Sequence, residues 1–117
     1  MLIIKTWCLP KLEEGELQKL HRGLVAAAVA VTEFNVHDEN DMVNLFPKDM
    51  MSYGLGSEIV VEVAEVGPWL SHSLKVYHEL LHGLAETVSQ MFPRAKVHVL
   101  INENKIKAFV TRPPSKQ

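Results

Sequence analysis

Apolar and polar positions along this chain mark five strands and two helices. Leu2 to Trp7 is rich in Ile, Thr and Trp and predicts a strand, which Leu9-Pro10 ends. Leu17, Leu20, Leu24, Ala27 and Val31 follow at spacings of three and four, one face of a helix whose first turn carries Glu13, Glu14 and Glu16. Ala26, Ala27 and Ala28 are small enough for close packing against a sheet. Gly23 costs a helix about 1 kcal/mol relative to Ala, so its place inside this pattern marks a close approach. Asp41 to Phe46 is a further strand candidate, and Pro47 through Gly56 reads as a loop. Ser57 to Val66 carries Ile59, Val60, Val61, Val63 and Val66 and predicts a strand closed by Gly67-Pro68. A second helix is expected from about Trp69 to Phe92, with Leu70, Leu74, Tyr77, Leu81, Leu84, Val88 and Met91 as its apolar stripe and Pro93 as its stop. Val97, Val99 and Ile101 then alternate with Lys96, His98 and Leu100, Asn102-Glu103-Asn104 reads as a turn, and Ile106 to Val110 as a short final strand.

This order implies an α+β fold. Two β-α-β halves form a mixed four-stranded sheet with two helices on one face, and a terminal strand follows. Residues 1–112 make a single domain, and residues 113–117 a frayed tail. Two helices cover only one sheet face. On the strand to Val66, Ile59, Val61 and Val63 point one way and Val60, Ala64 and Val66 the other, so both faces call for cover. A second copy of the chain is the simplest cover.

Composition narrows the partners. The 117 residues carry a formal net charge of −2, with no basic stripe of the kind that binds nucleic acid. The longest apolar run, Leu24 to Val31, is too short to span a bilayer, and no signal-peptide pattern opens the chain. Cys8 is the single cysteine. No internal disulfide can form, which fits a reducing, cytoplasmic setting and a structural thiol. No motif requires a cofactor.

Two features bear on chemistry. His78-Glu79-Leu80-Leu81-His82 matches H-E-x-x-H, in which two histidines on one helix face bind zinc and the glutamate activates water. The match implies a zinc hydrolase as one alternative. Against it, the chain has six histidines and Ala85 and Ser89 stand where the extended motif needs other residues. Glu79 also points away from the apolar stripe, toward solvent, so the expected number of metal ligands is none. The second feature is Glu62, on the otherwise apolar face of Val60, Ala64 and Val66, where a carboxylate needs a partner. Lys5 on the first strand is the cross-strand candidate.

The plan of the chain, the segment Pro47-Lys-Asp-Met-Met-Ser-Tyr-Gly-Leu-Gly-Ser-Glu58 leading to Val66-Gly67, the helix segment Tyr77-His-Glu-Leu-Leu-His-Gly-Leu-Ala-Glu86, and Phe92-Pro93 before the next strand together resemble the tautomerase superfamily. The likeness is to its macrophage migration inhibitory factor-like and carboxymethyl-hydroxymuconate isomerase-like branches. It implies a homotrimer with sheets inside and helices outside, and keto–enol isomerisation of a small 2-oxo or hydroxy-unsaturated carboxylate. In that family a proline after the initiator methionine is the base. Here Leu2 holds that position, so the resemblance implies either that the Met1 α-amine takes the role or that the protein is a non-catalytic binding or scaffold homologue. His98 falls where members of the first branch place an aromatic phenol from the adjacent subunit, and it is a second candidate proton carrier. Read from its own strand, His98 is equally a surface histidine on the polar side of an edge strand. Leu2 and Val66 would line the pocket, and Lys107 and Arg112 are candidates to hold the substrate carboxylate.

Overall fold

The computed structural model describes residues 2–47, 58–65, 74–103 and 106–116, with only the backbone of Glu65, Asn102, Glu103, Ile106 and Lys107. Five strands and two long helices make up the fold: β1 (Leu2–Trp7), α1 (Glu14–Val29), β2 (Met42–Leu45), β3 (Glu58–Glu65), α2 (Leu74–Met91), β4 (Lys96–Glu103) and β5 (Ile106–Arg112). The sheet has five strands, not four, in the order β2-β1-β3-β4-β5. β5 extends to Arg112 and completes the ladder with β4 from Val97↔Arg112 to Glu103↔Ile106. β1 and β2 are parallel, as are β3 and β4, while β1 and β3 run antiparallel. Each parallel pair is joined by a crossover helix, so the two β-α-β halves meet back to back along β1 and β3.

The first half begins with a cap the sequence encodes. The Glu13 backbone N–H donates to Glu16 Oε1 at 3.2 Å, while the Glu16 and Leu17 N–H groups donate to the Glu13 carbonyl. Glu16 thereby satisfies a backbone donor and places negative charge at the positive end of the helix. Replacing Glu16 by Ala is expected to cost about 0.5–1 kcal/mol, measured by urea unfolding. An unchanged midpoint would show that this end of α1 is held by packing alone.

The core lies between the helices and one sheet face. Leu20, Leu24 and Ala28 of α1 and Leu80, Leu81, Leu84, Ala85 and Val88 of α2 bury themselves over Ile4, Val61, Val63, Val97, Val99 and Ile101. The α1 stripe runs through Ala28 rather than Ala27, because Ala27 faces α2. A Cβ added at Gly83 would lie 3.6 Å from the Ala27 Cβ, and one at Gly23 only 2.8 Å from Thr87 Cγ2. Gly23 thus marks a close approach to the neighbouring helix, not to the sheet.

Among the described residues, none covers the other sheet face. Ile3, Trp7, Val43, Val60 and Leu100 are half-buried there. Leu45 is 42% exposed and Phe109, opposite Leu100, is 69% exposed. Ile59, Val61 and Val63 are buried under the helices as their alternation requires, and Val60 and Ala64 look outward. The chain after residue 112 runs back along the fold: the Ser115 and Lys116 N–H groups both donate to the Pro93 carbonyl at 2.9 Å. None of the described helices is long and apolar enough to cross a membrane.

Candidate functional site

Strand register places the sequence candidates at two opposite ends of the sheet. At one end, Leu2 is 3% exposed and pairs with Met42, Ile3 pairs with Glu65 at the end of β3, and Lys107 lies opposite Asn102 on β4. Leu2 and Lys107 therefore share this end of the sheet, three strands or roughly 14 Å apart at standard strand spacing. Met1 and Val66 fall outside the described residues, as does the loop of residues 48–57. The β1–β3 register shifts between Ile3 and Ile4. A bulge of this kind bends a strand and re-aims its side chains, and such bulges are common beside active sites.

His98 and Arg112 lie at the other end. Trp7, Val60, His98 and Thr111 form one row across four strands. Trp7 stands five residue steps along β1 from Leu2, or roughly 17 Å at the usual rise of a strand. Within one chain, His98 is thus remote from the N-terminus. β4 is an interior strand, flanked by β3 and β5, not an edge strand as the polar alternation around His98 implied. Its imidazole occupies the uncovered face with both nitrogens engaged: Nε2 is 2.6 Å from Glu58 Oε2 and Nδ1 is 3.1 Å from Thr111 Oγ1. The carboxylate accepts only, so Nε2 carries a proton and donates to Glu58, while the rotatable Thr111 hydroxyl suits either state of Nδ1. Sequence reading did not find this Glu58–His98–Thr111 ladder, because its members lie 40 and 13 residues apart and meet only through strand register.

Arg112 points to the opposite face. Its guanidinium pairs with Glu86 of α2, so a structural partner competes for the group that would hold a substrate carboxylate. Lys107 is the candidate cation that shares the Leu2 end of the sheet.

Glu62 takes a different partner from the one expected. Lys5 is its register neighbour, yet the carboxylate accepts a hydrogen bond from the Trp7 indole N–H at 3.1 Å. The Lys5 ammonium instead lies 5.9 Å from the centre of the Trp7 ring, a cation–π distance. Trp7 serves both residues from the same sheet face.

The H-E-x-x-H residues sit on α2 away from the sheet. His78 is half-buried, Glu79 and His82 are exposed, and the two imidazole centres are 6.3 Å apart. Among the described residues no group of three or more His, Cys, Asp or Glu is arranged to hold a metal ion.

No protein-family model matches the chain, and no curated protein matches it in sequence. Its fold, however, is found in solved structures. A fused 4-OT, wild type and an asymmetric trimer, superposes with a TM-score of 0.64 at 12% identity, over 87% of this chain and 85% of the other. A second fused 4-OT, a symmetric trimer, gives 0.64 at 13% identity over the same shares. Malonate semialdehyde decarboxylase, solved to explain its decarboxylase and hydratase activities, gives 0.53 at 13% identity over 86% of this chain and 84% of the other. At these identities the likeness is one of fold, and that fold is the tautomerase fold the sequence resemblance implied.

Proposed function

We propose that this tautomerase-fold chain works as a homotrimer in a reducing, cytoplasmic setting. In this reading the end of the sheet at Leu2 takes a small 2-oxo or hydroxy-unsaturated carboxylate and moves a proton between its carbon and oxygen. The observation that carries the reading is the sheet face that the described residues leave uncovered, with Phe109 69% exposed beside half-buried Leu100, Val60 and Trp7, in a chain whose structural neighbours include trimers. The Met1 α-amine is the base, since an α-amine titrates close enough to neutral pH to take and return a proton. Lys107 holds the carboxylate, while Leu2 and Val66 supply an apolar wall. The shifted register at Ile3 and Ile4 supports this placement. His98 and Arg112 reach such a site only from a neighbouring copy.

A keto–enol assay with phenylpyruvate, run beside sedimentation, tests the proposal. The wild-type chain should sediment at about three chain masses and accelerate ketonisation, and Lys107→Ala should lower kcat/KM at least about tenfold, the scale of one lost charge-assisted contact. A second reading, a non-catalytic trimeric binding or scaffold homologue, is favoured by the engagement of His98 and Arg112 with Glu58, Thr111 and Glu86. It stands if the wild type is a trimer without activity and Leu2→Pro gains it. Stoichiometric zinc in untagged protein, lost in His82→Ala, would instead select the hydrolase.

A further inference from the structure

At the end of the sheet away from Leu2, a cavity of about 550 Å³ opens between the last turn of α2, the turn that follows it, and the ends of β1 and β3. Ile59 and Ala95 are buried in its wall, Met91 and Phe92 half-buried, and Cys8 lines its mouth. That size and apolar lining suit a small organic molecule. Arg94 also lines the cavity, is exposed, and has no ion-pair partner among the described residues. Glu58, the acid among the lining residues, is committed to His98 at 2.6 Å. The turn bearing Arg94 is fixed on both sides: the Ala95 N–H donates to the Phe92 carbonyl, and Ser115 and Lys116 hold the Pro93 carbonyl.

The geometry points to a second binding site here, for a small amphipathic carboxylate whose apolar body enters the cavity and whose anion meets Arg94. The charge balance favours this ligand. The carbonyl end of α2 carries only a partial negative charge, which the full positive charge of Arg94 more than offsets. A planar guanidinium without an ion-pair partner among the described residues can bind a ligand carboxylate through two parallel hydrogen bonds. The site is separate from the one under Proposed function and does not depend on it.

Titrating the ¹⁵N-labelled full chain with 4-phenylbutyrate, and in parallel with uncharged 4-phenylbutanol, tests the assignment. 4-Phenylbutyrate lacks the 2-oxo group of the proposed substrate, so the two sites can be told apart. Saturable shifts are expected at the Cys8, Ile59 and Ala95 amides. Arg94→Gln should weaken 4-phenylbutyrate about fivefold, the scale of a partly exposed ion pair, and leave 4-phenylbutanol unchanged. Bound 4-phenylbutyrate should also slow alkylation of Cys8 by iodoacetamide. The assignment is overturned if the shifts centre on Leu2 and Lys107, if no saturable binding occurs, or if Arg94→Gln weakens both compounds equally. It also fails if the same amides shift on raising protein concentration alone, which would make the cavity a contact between copies.

Discussion

Gly23→Val is expected to lower the unfolding free energy by about 2–3 kcal/mol, and Thr87→Ala in the same chain to recover most of it. The helices meet at this point. A Cβ at residue 23 would come within 2.8 Å of Thr87 Cγ2, closer than side chains pack. Thr87 has little room to yield. Its side chain is branched at Cβ, and its hydroxyl donates to the Gly83 carbonyl at 3.1 Å, which fixes the rotamer. Valine is a better helix former than glycine by a few tenths of a kcal/mol, too little to offset the overlap. Thr87→Ala alone should cost less than about 1 kcal/mol, because its main loss is one partly buried hydrogen bond. Urea unfolding of the four chains closes the cycle. Equal losses from Gly23→Val with and without Thr87 would show that the overlap is relieved elsewhere and that this contact does not set the helix spacing.

Phe109→Asp is expected to weaken self-association at least about 100-fold and leave the folded chain intact. The ring is 69% exposed on the face that the described residues leave uncovered, and its register neighbour Leu100 shares that face with half-buried Val60 and Trp7. Burying a phenylalanine is worth about 1.5–3 kcal/mol, and an unpaired carboxylate in its place adds a desolvation penalty. Together these exceed the roughly 2.7 kcal/mol that corresponds to 100-fold. Sedimentation velocity at micromolar concentration should give a single-chain mass for Phe109→Asp with unchanged circular dichroism. Leu74→Asp is the matched control: Leu74 is 56% exposed, but it opens α2 on the helical layer. If both substitutions dissociate the protein, or neither does, the open sheet face is not the association surface.

Both predictions rest on features of different legibility. The place of Gly23 in the apolar pattern announced a close approach, but the identity of the neighbour, Thr87, came from 64 residues away. The need for a second cover was visible in the two-sided character of Ser57 to Val66, while Phe109 as its most exposed member required the β4–β5 register. His98 shows the limit most clearly. Alternation placed it correctly on the polar side of Val97, Val99 and Ile101, yet it read as an edge position. A further strand on its far side supplies Thr111, and the strand before α2 supplies Glu58. Glu62 was rightly read as a carboxylate in need of a partner. Its register neighbour Lys5 was the natural choice, but the indole N–H of Trp7 on the same face reaches the carboxylate.

The sequence by itself determined the fold class, the order of strands and helices, and the placing of both helices on one sheet face. These follow from period-2 and period-3.6 spacing, which act over a few residues and need no distant partner. The tertiary structure decided which side chains meet. It set Leu2 and Lys107 at one end of the sheet and His98 and Arg112 at the other, engaged His98 with Glu58 and Thr111, and left Arg94 beside an apolar cavity. Those outcomes depend on strand order and register, which shift contacts by whole residues without altering the local pattern, so no stretch of the chain encodes them alone.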